Sequence, residues 1–167
     1  MAVTAALYPL LVMTGTHHAV GIIGVQNITS MGYDPFVLVL NFINNLNQGA
    51  ACLAVAFKTK NVDNKSEAVS SGVTAIVCGV TEPALYGTIL KNRTPLYAAM
   101  IGNFAGGTIA GLLHVCLYAF AGSWGLFGLP AFIGEKANNL LYMILTIIVG
   151  MIVTFVVTLL IFKEKEE

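Results

Sequence analysis

Apolar residues fill this chain in runs separated by short polar stretches, and the lengths of those runs predict the elements. Val3 to Met13 is an apolar arm of 11 residues, short of the about 20 a membrane-crossing helix needs, and it runs into Thr14-Gly15-Thr16-His17-His18. It reads as a half-helix. Ala19 to Ile28 is also short and ends among Gln26, Asn27, Thr29 and Ser30. Gly32-Tyr33-Asp34-Pro35 then predicts a fresh helix start, since Asp-Pro favours turn initiation and proline fits the first helical position. Pro35 to Phe57 is 23 residues without a charge, long enough to cross. Further crossings are predicted over about 95–121 and 139–162.

The run 35–57 carries a polar stripe. Asn41, Asn45 and Gln48 recur at i, i+4 and i+7, with Asn44 beside them. Amides facing lipid are expensive, so the stripe should face protein or a wet cavity. Interhelical hydrogen bonding and a solute-lining face both satisfy that requirement.

Residues 68–90 are broken in the middle by Gly79-Val80-Thr81-Glu82-Pro83, which leaves two ways to thread them. A single crossing would place four of the eight basic residues on each side of a membrane. A hairpin that dips in and returns would place seven on one side, with Lys136 alone on the other. Short loops beside membrane ends carry their Lys and Arg in the cytoplasm, which favours the hairpin. The arm from Ala68 to Val80 would also rise only roughly 20 Å as a helix, against roughly 30 Å of hydrocarbon. The expected fold class is therefore all-α: polytopic transmembrane helices with a re-entrant hairpin over about 67–90 in one membrane domain of 167 residues.

Composition sharpens this picture. The chain is 57% hydrophobic and 10% charged, where a soluble domain has about 25% charged residues. The formal net charge is zero, so no global field points to nucleic acid. Gly102, Gly106, Gly107 and Gly111 space small residues for close helix packing. Trp124, Phe127, Pro130 and Phe132 suggest an interfacial aromatic belt. Cys52, Cys78 and Cys116 lie in apolar runs with no CxxC and read as small buried hydrophobes.

Candidate chemistry centres on Glu82. A carboxylate at membrane depth costs roughly 2.5–3.5 kcal/mol, and half-helix ends at that depth build substrate sites in transporters. Thr81 can cap the second arm with its hydroxyl, and the amides at that helix start favour a negative charge. His17 and His18 follow another short arm and form the natural partner for Glu82, although adjacent helical residues diverge by about 100°. His114 reads as a hydrogen-bonded interior residue. No third ligand gives the histidines metal spacing, and no Walker loop, GxSxG elbow or dinucleotide fingerprint occurs, so neither a metal nor a cofactor is expected.

These motifs carry a resemblance. Gly79-Val80-Thr81-Glu82-Pro83-Ala84-Leu85-Tyr86-Gly87 resembles the GITEP-type signature of the membrane-embedded C component (EIIC) of phosphotransferase-system sugar permeases, glucose superfamily. Its Ala-Leu-Tyr-Gly ending is most similar to the β-glucoside, sucrose and trehalose branch. Thr14-Gly15-Thr16-His17-His18-Ala19, Asn27 to Asp34 and Asn47-Gln48-Gly49-Ala50-Ala51 also resemble that branch, and the similarity covers essentially the whole chain. The resemblance implies sugar transport across a bacterial plasma membrane, with phosphorylation from a phosphocysteine on a separate B domain. It implies that Glu82 hydrogen-bonds sugar hydroxyls and helps deprotonate the accepting one, and that His17, rather than His18, takes the family's histidine position.

The implied partners are a glucoside or disaccharide, the B domain, lipid, an earlier half of the permease that this chain does not resemble, and a second copy in a homodimer. Catalysis by the chain alone is not expected. Thr81, His18, Asn41, Asn45 and Gln48 are the supporting candidates. Two other readings stay open at this level: half of a proton-coupled secondary transporter, and a non-transporting membrane scaffold.

Overall fold

The computed structural model describes residues 1–164, and these build an all-helical fold. Lys165, Glu166 and Glu167, part of the tail expected to be a solvated cytoplasmic stop, lie outside the described residues. The helices are α1 (Ala2–Met13), α2 (His17–Met31), α3 (Val37–Lys58), α4 (Val62–Cys78), a π-helix (Pro83–Ile89), α5 (Leu90–Asn92), α6 (Thr94–Leu112), a 3₁₀ segment (Leu126–Phe132) and α7 (Asn139–Ile161).

The helix boundaries follow local chemistry. The Thr14 hydroxyl donates to the carbonyls of Leu10 and Leu11 at the end of α1, and the chain then bends at Gly15. A left-handed Gly32 closes α2, its N–H donating to Ile28 O at 2.9 Å. At the start of α3 the Asp34 carboxylate accepts from the N–H of Phe36 at 3.3 Å and of Leu38 at 2.7 Å, and from Asn27 Nδ2 at 2.8 Å. Those bonds let a carboxylate stay fully buried. The Asn61 side chain caps α4 by accepting from the N–H groups of Asp63 and Asn64.

Helix α3 is the axis of the fold, and α4, α6 and α7 pack around it with its middle turns wholly buried. Along the α6–α7 seam a Cβ on Gly102 would collide with Thr154 Oγ1, so the two backbones approach at a separation only glycine permits there. Helix α4 and the π-helix fold back on one another: Glu67 lies against Gly87, and Lys91 Nζ donates to Asn64 Oδ1 at 2.8 Å. Their open ends therefore meet at one end of the molecule, and Gly79 to Glu82 forms the tip.

Four expectations change. The helix predicted to run from 95 to 121 stops at Leu112. His114 follows in a left-handed conformation with an exposed side chain, so it is not the interior residue expected. Residues 113–138 instead return across the bundle, where Asp34 and Leu117 exchange backbone hydrogen bonds of 2.7 and 2.8 Å. Asn139, fully buried at the start of α7, supplies the missing backbone partners: its Oδ1 accepts from Cys116 N at 2.9 Å, and its Nδ2 donates to Cys116 O and Phe132 O at 2.7 Å each. Of the predicted crossings, only Asn139–Ile161 is long and apolar enough among the described residues to span a membrane by length and composition, at a mean hydropathy of 2.9. The amides of α3 lower its apolar character. Cys78 is exposed while Cys52 and Cys116 are buried.

Candidate functional site

Glu82 sits where α4 turns into the π-helix. Gly79 ends α4 in the left-handed conformation at φ 74°, and its N–H donates to Ala75 O at 3.1 Å. A side chain there would also strike the backbone of Trp124 and Gly125, which lies directly on the tip. Pro83 then opens the π-helix, whose wide turn is marked by Leu90 N–H donating to Leu85 O. Thr81 caps this helix with its carbonyl, accepting from Leu85 N at 2.8 Å, rather than with the hydroxyl expected from sequence.

Between the tip, the first turns of α2 and the upper part of α3 lies a cleft of about 300 Å³. His17, His18, Asn41, Asn45, Thr81 and Glu82 line it together, with Tyr8, Phe120 and Trp124 supplying aromatic walls. Glu82 is exposed to the cleft, while Thr81 is buried. Both histidines reach the cleft despite their adjacency, because the bend at Gly15 puts them on the first turn of α2, where their rings stack at 4.0 Å and 37°. The Nδ1 of His17 is buried without a hydrogen-bond partner.

Asn45 fixes one wall, since its Nδ2 donates to Gly79 O at 3.2 Å and to Trp124 O at 3.4 Å. Gln48 does not line the cleft. It shares the stripe with Asn41 but stands seven residues further on, about 10 Å along the helix axis, and is fully buried beneath. Its Nε2 donates to Asn44 Oδ1 at 3.2 Å.

Sequence reasoning missed the aromatic walls. Trp124 and Phe132 point inward rather than forming an outer belt, and Phe42 makes an edge contact with each, at 6.4 and 5.0 Å. Phe127 alone of those three aromatics is largely exposed. Phe120 meets Trp124 edge-on at 5.4 Å and 89°.

Among the described residues the cleft lining contains no lysine or arginine, so Glu82 opens onto the cleft without a fixed cation beside it. A carboxylate offers acceptors only, whereas the amides and Thr81 offer both donors and acceptors. Beside aromatic faces, that set suits a small uncharged molecule with several hydroxyls and an apolar side.

The family model described as "Phosphotransferase system, EIIC" matches residues 1–102. The chain is 38% identical over 134 residues to the PTS system beta-glucoside-specific EIIBCA component of Bacillus subtilis, covering 80% of this chain and 22% of the relative. It is 34% identical over 162 residues to the PTS system arbutin-, cellobiose-, and salicin-specific EIIBC component of Escherichia coli, covering 96% and 33%. It is 36% identical over 155 residues to the PTS system sucrose-specific EIIBC component of Salmonella typhimurium, covering 92% and 33%. The chain thus spans about a third or less of the length of these curated relatives. No solved structure matches it.

Proposed function

Because this chain belongs to the EIIC family of the phosphotransferase system, we propose that it is the sugar-binding part of a membrane permease, holding a sugar in the cleft between Glu82 and His17 while a separate B domain phosphorylates it. The observation that carries this reading is that His17, Thr81 and the exposed Glu82 line one cleft with Asn41, Asn45 and aromatic walls. One sugar hydroxyl bonding the His17 ring and a second donating to the carboxylate would hold the sugar between them. Asn41, Asn45, Thr81 and His18 supply further polar contacts, and Gln48 acts from beneath the cleft floor. The apolar face of the ring packs on Trp124 or Phe120. When the phosphoryl group passes from the phosphocysteine, the attacking hydroxyl loses its proton to Glu82 as the sulfur–phosphorus bond breaks. The sugars named for the relatives make an aryl β-glucoside or a glucose-containing disaccharide the expected class.

The same reading places α4 and the π-helix in a bacterial plasma membrane as a hairpin entered from the cytoplasm, with α3, α6 and α7 crossing. The arrangement of polar ends supports it. Lys58, Lys60, Lys91 and Glu164 line one surface cleft, whereas Lys136 bonds to His114 O near the opposite end of α7, about 35 Å away along that helix. An earlier half of the permease and a second copy would complete the assembly.

Two measurements test the proposal. Uptake of salicin and sucrose is expected to require both the complementing permease segment and the B protein; uptake indifferent to the B protein would favour a secondary transporter. Cysteines at Lys60 and Arg93 should label from the same side of the membrane, and labelling from opposite sides would refute the hairpin.

A further inference from the structure

Behind the cleft runs a connected set of buried amides whose direction is set from one end. Asn45 Nδ2 faces the carbonyls of Gly79 and Trp124, and a carbonyl can only accept, so Asn45 is held with its NH₂ toward the tip. Its Oδ1 therefore turns to Asn44, whose Nδ2 donates to it at 3.3 Å. Asn44 must then present Oδ1 on its other edge, where it accepts from Gln48 Nε2 at 3.2 Å and Asn103 Nδ2 at 3.1 Å. Asn103 Oδ1 in turn accepts from Asn47 Nδ2 at 2.8 Å.

The series ends on two acceptors, Asn47 Oδ1 and Gln48 Oε1, both buried without partners. Turning Asn47 over would set two oxygens against each other at Asn103. Turning every amide over would set the Asn45 oxygen against two carbonyls. The direction of every amide from the Gly79 and Trp124 carbonyls through Asn45 and Asn44 to Asn103 is therefore fixed, and the series ties the tip to α6.

We propose that Asn44 and Asn103, neither of which lines the cleft, are positioning residues: acting through Asn45, they fix the Gly79–Glu82 tip at the height and angle the ligand requires. The proposal rests on the reading of the cleft as a sugar site. It adds that α6, which contributes nothing to the cleft lining, sets affinity through Asn103.

The test is a double-mutant cycle on the full chain in detergent, with binding of salicin and sucrose measured by calorimetry. Asn103→Leu should weaken binding about tenfold, Asn45→Ala at least as much, and the double variant no more than Asn45→Ala alone. Additive losses would overturn the proposal. A second readout needs no sugar. Thr81→Cys in a Cys78→Ser background places a thiol at a buried tip position. Its maleimide labelling should quicken about tenfold when Asn103→Leu is added, and an unchanged rate would overturn the relay. If the parent chain binds neither sugar, the proposed function fails while the labelling experiment still decides the relay. Asn103→Ser replaces Asn103→Leu if the latter does not fold.

Discussion

Two clefts open at opposite ends of the hairpin, and the smaller one is the better candidate site. The cleft at the open end, lined by Lys58, Thr59, Lys60, Asn64, Lys91 and Glu164, has a volume of about 790 Å³ against about 300 Å³ at the tip. Several of its polar groups already fasten other parts of the chain. Lys58 Nζ donates to Leu159 O at 2.7 Å and Phe162 O at 2.6 Å, capping the end of α7. The Glu164 carboxylate accepts from the Thr59 hydroxyl and from the N–H groups of Lys60 and Asn61 at 3.0 and 3.4 Å. At the tip, by contrast, Glu82 is exposed to the cleft and has no lysine or arginine beside it in the lining. Uncommitted polar groups, not volume, make the tip the better candidate.

The sharpest way to break this contrast is Glu82→Gln, which should lower salicin or sucrose affinity about 100-fold, the scale of losing hydrogen bonds to a charged group. Equal binding by calorimetry would remove the carboxylate from the site. His17→Ala should cost about 10- to 30-fold, with partial recovery in His17→Asn, which restores a polar side chain at that wall. Trp124→Ala should cost several-fold, the worth of an aromatic contact. Trp124 is the only tryptophan in the chain, so sugar should also change the intrinsic fluorescence of the unmodified protein directly.

The smallest effects belong to the other cleft. Glu164→Gln should leave sugar affinity unchanged and lower thermal stability slightly. The Thr59 hydroxyl, and then the Lys60 N–H, hold the Glu164 carboxyl below its ordinary range. The stabilisation is therefore complete above the unfolded carboxyl value and is lost as pH falls through the lower folded value. In melts recorded across acid pH, the difference between parent and Glu164→Gln should vanish at the low end.

The polar half of the site was legible because polar groups are conspicuous in an apolar chain. Glu82 breaks a hydrophobic run, His17 follows a segment too short to cross, and Asn41 and Asn45 recur at helical spacing. The aromatic half was not, since Trp124 and Phe120 sit among many other aromatic residues and reach the cleft only through contacts distant in sequence, such as Asn45 to Trp124. Gln48 was misplaced because periodicity reports angle around a helix and not depth along it. The end of α6 at Leu112 was hidden for a related reason: apolar sequence continues past it, and the Cys116 backbone beyond the helix is partnered by Asn139, which no local pattern announces.

That asparagine carries a consequence for the order of assembly. Synthesis reaches Glu82 well before Asn139. Until Asn139 is in place, the segment bearing Phe120 and Trp124 has the backbone exchange between Asp34 and Leu117 and the bonds from Asn45 to Trp124 and from Ser123 to Cys78, but lacks the three that Asn139 makes to Cys116 and Phe132. The last helix to be made therefore completes the anchoring of the segment that walls the cleft with aromatic rings.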